Sequence, residues 1–236
     1  MKDEILNIFK ENFSIKISLV LIFLFPIILL LGSALINTSI VIMNIFFLIH
    51  IYNEKKFRIF NNDIFYLLFA IWAFLIINTL LSDDFIRNYE RSFGFIRFIL
   101  LVFSFSYFFS YKNFKFKKII INSWTIIFII VSLDLIFEFI FGFNTLGFKS
   151  GYAGRLAGFM GDELKIGHWY FCFALIAMSI KSKSSNKFYL LLFLAISISF
   201  LIGERANFIR LVLAISLLIL ITRHFSFKGL GILGLV

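Results

Sequence analysis

IIINSWTIIFIIVSLDLIFEFIF, residues 119–141, decides the fold class. It is an unbroken apolar run of the length an α-helix needs to cross the hydrocarbon core, roughly 20 residues. Runs of the same character recur near 17–33, 38–52, 63–81, 95–110, 166–180, 188–202 and 207–222, and 229–236 begins another. None alternates with polar residues as the strands of a membrane barrel do. The chain is 61% hydrophobic and only 15% charged, too few charges to cover a soluble core of 236 residues. Mean hydropathy is +0.99. The expected fold is all-α, a polytopic transmembrane helix bundle. It has about eight complete spans and the start of a ninth, in one integral-membrane domain over 1–236. GLGILGLV at 229–236 is only a short way into a span, so the chain is expected to continue past Val236.

Other classes fall away quickly. The single cysteine, Cys172, has no internal disulfide partner. Residues 1–16 mix both charges, and the apolar run that follows contains Pro26 and ends without a clear cleavage site. It therefore reads as a first span rather than a signal peptide. Orientation follows from the basic residues. Lys55, Lys56 and Arg58, then Lys112, Lys115, Lys117 and Lys118, then Lys181, Lys183 and Lys187 fall in alternate connections on the side of the N-terminus. That places the N-terminus in the cytoplasm. The net charge of +10 then reflects insertion topology and contact with anionic lipid, not nucleic-acid binding.

The connections expected inside are short and simple. Those expected outside are SDDFIRNYERSFG (82–94), the long segment from Gly142 to Lys165, and GERAN (203–207), and they mix acids, arginines and glycines. Any chemistry is expected there. Arg155 lies in GRLAG, where flanking glycines allow a tight turn or close approach of backbone to a ligand. A guanidinium on such a turn suits phosphate or pyrophosphate, because its fork donates two parallel hydrogen bonds. Snorkelling to headgroups is the bland alternative. In GERANFIR (203–210), Glu204 and Arg205 occupy a very short turn and Arg210 lies one turn into the next span. Together they suggest an anion site with its own counter-charge, or merely a surface pair.

Asp162 and Glu163 precede a span, where acids meet the positive end of the helix dipole. His168 sits one turn further on, as an interfacial hydrogen-bonder or a base. Asp134 and Glu138 are four residues apart inside the run quoted above, so they share a face. Ionised groups there cost at least about 2.5–3.5 kcal/mol on insertion scales, so partners are expected. Arg97 and Arg210 are the arginines expected at comparable depth, and at least one acid is expected to pair with one of them. No spacing suggests a metal site, and no nucleophile elbow or P-loop is present.

GRLAGFMGDELKIGHWY (154–170) resembles the R-x-x-G-x-F/M-G-D/N-E-x-x-x-G stretch of the O-antigen ligase and O-antigen polymerase superfamily. GERANFI resembles that superfamily's second motif, a G-x-R-[SA] turn opening a helix. The resemblance spans roughly residues 60 to 222, but only these two motifs are specific. It implies a metal-independent membrane glycosyltransferase of the GT-C class without a cofactor, in the bacterial inner membrane. Such an enzyme takes a glycan from an undecaprenyl-pyrophosphate carrier at the periplasmic face. The acceptor is lipid A–core for a ligase and a second carrier-linked glycan for a polymerase. The pyrophosphate-holding role falls on Arg155 and Arg205, with Arg97, Asp134, Glu138, Asp162, Glu163, His168 and Arg210 in support. The superfamily's acceptor base is a histidine on a large outer loop later in the chain, so no catalytic residue is assigned here. His168 stands where the motif does not require histidine. The competing readings are a transporter or flippase of a lipid-linked oligosaccharide or other anion, with Asp134 and Glu138 as relay groups, and a structural membrane subunit.

Overall fold

A computed structural model describes residues 13–82, 85–111, 114–161, 165–181 and 185–221. Among them there are helices and connections but no strand. The α-helices are α1 (Phe13–Leu30), α2 (Ser33–Glu54), α3 (Asp63–Leu80), α4 (Phe85–Gly94), α5 (Ile96–Tyr111), α6 (Phe114–Phe141), α7 (Ile166–Lys181), α8 (Ser185–Leu201) and α9 (Arg205–Ile221). Five segments are long and apolar enough to cross a bilayer: Phe13–Leu30, Ser33–Glu54, Asp63–Leu80, Asn88–Phe109 and Lys117–Phe141. This is a multi-pass membrane protein. The remaining three helices, α7 to α9, have 16, 17 and 17 residues. At 1.5 Å per residue they run only about 24–26 Å. The beginning of a further span at 229–236 lies outside the described residues.

Two boundaries differ from the sequence reading. The first turn is shorter than expected: α1 ends at Leu30 and α2 starts at Ser33, with Gly32 supplying φ +108°. Much of SDDFIRNYERSFG, expected as a loop, is helix α4. Trp72 Nε1 donates to the Ser92 carbonyl at 3.0 Å and the Thr79 hydroxyl meets Ser92 Oγ, which ties α4 to α3. Polar anchors facing α3 and apolar residues such as Ile86 facing outward make α4 amphipathic, as a helix lying at an interface should be.

The chain forms two compact units, Met1–Leu24 with Ser33–Phe116, and Phe25–Gly32 with Lys117–Val236. In the first, the buried Asn44 donates Nδ2–H to the Arg97 carbonyl at 2.8 Å, joining α2 to α5. One turn and a half further along, His50 Nε2 meets the Tyr107 hydroxyl at 2.9 Å. Polar atoms in an apolar setting are costly unless paired, so such bonds fix the register of α2 against α5. Phe108 packs edge-on against Phe47 and Tyr107, whose own rings are tilted to each other. The outward faces stay greasy: Leu67, Phe74 and Ile77 of α3 are all exposed, as expected where lipid is the solvent.

The second unit contains α6 to α9. Its core is built on Leu135 of α6, Tyr170, Phe173 and Ala174 of α7, Leu192 and Ala195 of α8, and Leu211 and Ile215 of α9. The buried alanines let α7 and α8 approach closely, as small residues do in membrane helix pairs. Tyr170 finds Ser132 Oγ at 3.2 Å, and Trp169 Nε1 donates to the Pro26 carbonyl at 2.9 Å.

Candidate functional site

The connection between α6 and α7 is not a slack loop. Asn144, fully buried, accepts from the N–H groups of Leu146 (3.0 Å) and Phe148 (2.7 Å). Its amide donates to the Gly158 carbonyl at 2.7 Å. Asp134 Oδ1 accepts from the Thr145 N–H (2.9 Å) and the Thr145 hydroxyl (2.6 Å). Glu138 accepts from two successive backbone donors, Ala157 N–H at 3.1 Å and Gly158 N–H at 2.7 Å. The two acids on one face of α6 therefore staple the connection at two points.

This replaces the expected carboxylate–arginine pair. Arg210 instead donates to His168 and Asn207. Arg97 belongs to the first unit, where its guanidinium lies 4.9 Å from the Phe98 ring. Apart from the Thr145 hydroxyl, the partners of the acids are main-chain N–H groups. These occur in every residue, so a search for opposite charge in the sequence overlooks them.

The pinned connection presents Arg155 beside a second glycine turn. Leu156 N–H donates to the Ile202 carbonyl at 3.2 Å, across 46 residues of chain, and both residues are buried. Gly203 has φ +78°, and a Cβ there would collide with the Gly154 carbonyl oxygen. Only glycine combines that dihedral with that approach. GRLAG and GERAN are thus docked backbone to backbone.

Around them opens a cleft of about 720 Å³, lined by Gly154, Arg155, His168, Gly203, Glu204, Arg205, Asn207 and Arg210. His168 is in the first turn of α7, and Arg205, Ala206 and Asn207 form the first turn of α9. Two helix N-termini, each carrying partial positive charge and N–H groups without helical partners, therefore face one cleft. The side chains of Arg155, Arg205 and Arg210 are exposed to it. Among the described residues no hydrogen bond or ion pair engages the Arg155 or Arg205 guanidinium.

Glu204 is turned inward rather than toward Arg205. Oε2 accepts from Asn207 Nδ2, while Oε1 is buried without a protein partner. Gly167 makes room for it, since a Cβ there would strike the Glu204 carboxylate and lie 2.7 Å from Asn207 Nδ2. Gly167 is the last glycine of the motif noted in the sequence, whereas Asn207 was not singled out there. Asn207 could have been, because it sits one helical turn after Glu204 and shares its face. Of the residues the sequence offers, the structure brings together Arg155, Arg205, His168 and Arg210, and places Asp134 and Glu138 as supports of the Arg155 connection. Asp162 and Glu163 lie outside the described residues. Among those described, no three His, Cys, Asp or Glu side chains converge to hold a metal.

A second groove in the same unit, about 1040 Å³, is lined by Ile27, Leu30, Ile127, Ile130, Val131 and Phe159, with Lys149 beside them. The α6–α7 connection contributes to both, through Gly154 and Arg155 on one side and Phe148, Phe159 and Met160 on the other.

The stapling makes a testable difference between the two acids. Glu138→Gln turns an NH₂ group toward a buried backbone N–H and loses one of two bonds, which should cost about 1–3 kcal/mol. Asp134→Asn can keep Oδ1 on Thr145 and should cost less. Thermal unfolding in detergent is expected to rank Glu138→Gln below Asp134→Asn, and the reverse order would contradict the stapling geometry.

Comparison with family models, with curated proteins and with solved structures returned no match to this chain.

Proposed function

We propose that the cleft holds the pyrophosphate of an undecaprenyl-pyrophosphate-linked glycan. On this reading the protein is an O-antigen ligase- or polymerase-like glycosyltransferase, working without a metal at the periplasmic face of a bacterial inner membrane. The observation that carries it is the docking of two glycine turns, which sets two arginines with no partner among the described residues before two helix N-termini. Forked donors without internal partners, next to positive helix ends, match a dianionic group that arrives from outside. The apolar groove beside the same connection offers a wall for the polyprenyl tail.

Topology supports the same reading. With the N-terminus in the cytoplasm, the five long spans put the α6–α7 connection on the periplasmic side, and the α8–α9 turn docked to it lies on the same side. In the reaction, the acceptor hydroxyl attacks the anomeric carbon, the bond to the pyrophosphate oxygen breaks, and the electron pair leaves with the phosphate. Arg155 and Arg205 would neutralise the charge that develops there, the kind of preorganised stabilisation that lowers barriers most. Lipid A–core or a second carrier-linked glycan is the acceptor in the two versions. The transport reading fares less well, because the carboxylates it would use as relay groups are committed to loop backbone.

Deleting the full native gene and resolving the cell's lipopolysaccharide tests the proposal. Loss of O-antigen with accumulation of carrier-linked glycan would fit a ligase, and a single repeat would fit a polymerase. An unchanged ladder would remove the O-antigen role. Arg155→Lys keeps charge but not the fork, and is expected to fall at least about tenfold in activity. Full activity in that variant would sink the bidentate arrangement.

A further inference from the structure

A separate polar recess of about 340 Å³ lies in the first unit, between the end of α3 and α4. Asn78, Thr79 and Ser82 wall it on one side, and Asn88, Arg91 and Ser92 of α4 on the other. The Thr79 and Ser92 hydroxyls are engaged with each other, and Asn88 Nδ2 donates to Ser82 Oγ at 3.4 Å. Asn78 and Arg91 differ. Both are exposed, and neither side chain has a hydrogen bond or ion pair among the described residues. The adjacent Glu90 does not pair with Arg91; its Oε1 accepts from the Tyr89 hydroxyl at 3.4 Å. Depth decides what can meet them. Helix α3 has 18 residues and runs about 27 Å, close to the roughly 30 Å of hydrocarbon. Asn78 and Ser82 stand at its far end, where lipid phosphates begin. From Asn78 back along α3, Leu75, Ile71, Leu67 and Ile64 follow at spacings of three and four, so they share its face. Leu75 lines the recess, and Ile71, Leu67 and Ile64 are exposed. This stripe runs about 17 Å, the depth of one leaflet.

We propose that this recess binds a membrane phospholipid, with the phosphodiester between Arg91 and Asn78 and an acyl chain along Leu75, Ile71, Leu67 and Ile64. The Arg91 fork suits two phosphate oxygens at once, and the Asn78 amide supplies a further N–H. A free phosphate meets only the recess, and a diacylglycerol meets only the stripe. Their alignment on one helix face, with the polar part at headgroup depth, selects a molecule that has both. An arginine that merely snorkels needs neither a formed recess nor a second donor. A lipid seated there adds a bridge between α3 and α4 beside the bond from Trp72 to the Ser92 carbonyl. It also suits α4 as an amphipathic helix at the membrane surface. The proposal does not depend on the transferase reading, because its residues belong to the first compact unit and those of the cleft to the second.

The test uses the full protein in a maltoside detergent, which carries no phosphate. The probe is phosphatidylglycerol with a photoreactive diazirine in one acyl chain, and cross-linked peptides are read by mass spectrometry. Labelling is expected on α3 between Ile64 and Leu75. Diacylglycerol with the same photoreactive chain should label that stretch at least about tenfold less, since a hydrogen bond to a charged group is worth about that factor or more. The Arg91→Gln, Asn78→Leu double variant should lose phosphatidylglycerol labelling by a similar factor. Its unfolding temperature without lipid should not change, because neither side chain has a partner among the described residues. The Arg155→Gln, Arg205→Gln double variant should label α3 as the wild type does, which separates this site from the cleft. Equal labelling by diacylglycerol, labelling that survives loss of Arg91 and Asn78, or early melting of that variant without lipid would overturn the site. So would displacement of the probe by inorganic phosphate, because the recess would then take a soluble anion rather than a lipid.

Discussion

Gly203→Ala is expected to be the most damaging single methyl in the protein. The residue sits at φ +78°, where a side chain costs about 1–2 kcal/mol. The new Cβ would also meet a backbone atom, the Gly154 carbonyl oxygen, which cannot swing aside as a side chain could. The two turns must part, and the buried bond from Leu156 N–H to the Ile202 carbonyl is lost with them. An orphaned buried backbone pair adds about 1–3 kcal/mol. A total of about 2–5 kcal/mol should appear as a clear fall in the unfolding temperature in detergent, together with loss of pyrophosphate binding, because Arg155 and Arg205 are no longer held side by side. Gly161→Ala is the control. It also has positive φ, +60°, but nothing lies within 4 Å of its Cβ. Equal damage from both would mean that the dihedral, not the docking, is what matters.

The second large effect is expected from removing both free guanidiniums. Arg155→Gln and Arg205→Gln each delete a charge-assisted donor pair, worth about 1.5–3 kcal/mol when the partner is ionised. Each 1.4 kcal/mol is tenfold in affinity. The double variant should therefore bind farnesyl pyrophosphate at least about 100-fold more weakly, measured by calorimetry. Its unfolding temperature should hardly change, because neither guanidinium has a partner among the described residues. A double variant that melts early would instead assign the arginines a structural role.

The fold class was legible because lipid imposes a simple rule: apolar runs such as 119–141 must become helices that satisfy their own backbone. The docked pair of turns was half legible. Glycines beside arginines in GRLAG and GERAN mark places where backbone comes close, yet sequence cannot say that the two turns approach each other. Asp134 and Glu138 show where such reading stops. Burial demanded partners for them, and the natural search is for opposite charge. The structure supplies Thr145, Ala157 and Gly158, whose contribution is mainly backbone N–H, carried by residues with nothing unusual about them. Helix α4 was missed for a related reason. Its charged and apolar residues alternate at helical spacing, but over only 10 residues, too short for the pattern to stand out beside the spans.

The most direct test of the central claim is to titrate the purified full protein with undecaprenyl pyrophosphate, undecaprenyl monophosphate and undecaprenol, in one detergent and at one ionic strength. The account predicts pyrophosphate first, by about tenfold or more over monophosphate, with that margin erased in the Arg155→Gln, Arg205→Gln double variant. Equal affinity for all three lipids, or a margin that survives in the double variant, would mean that the cleft does not hold the head group.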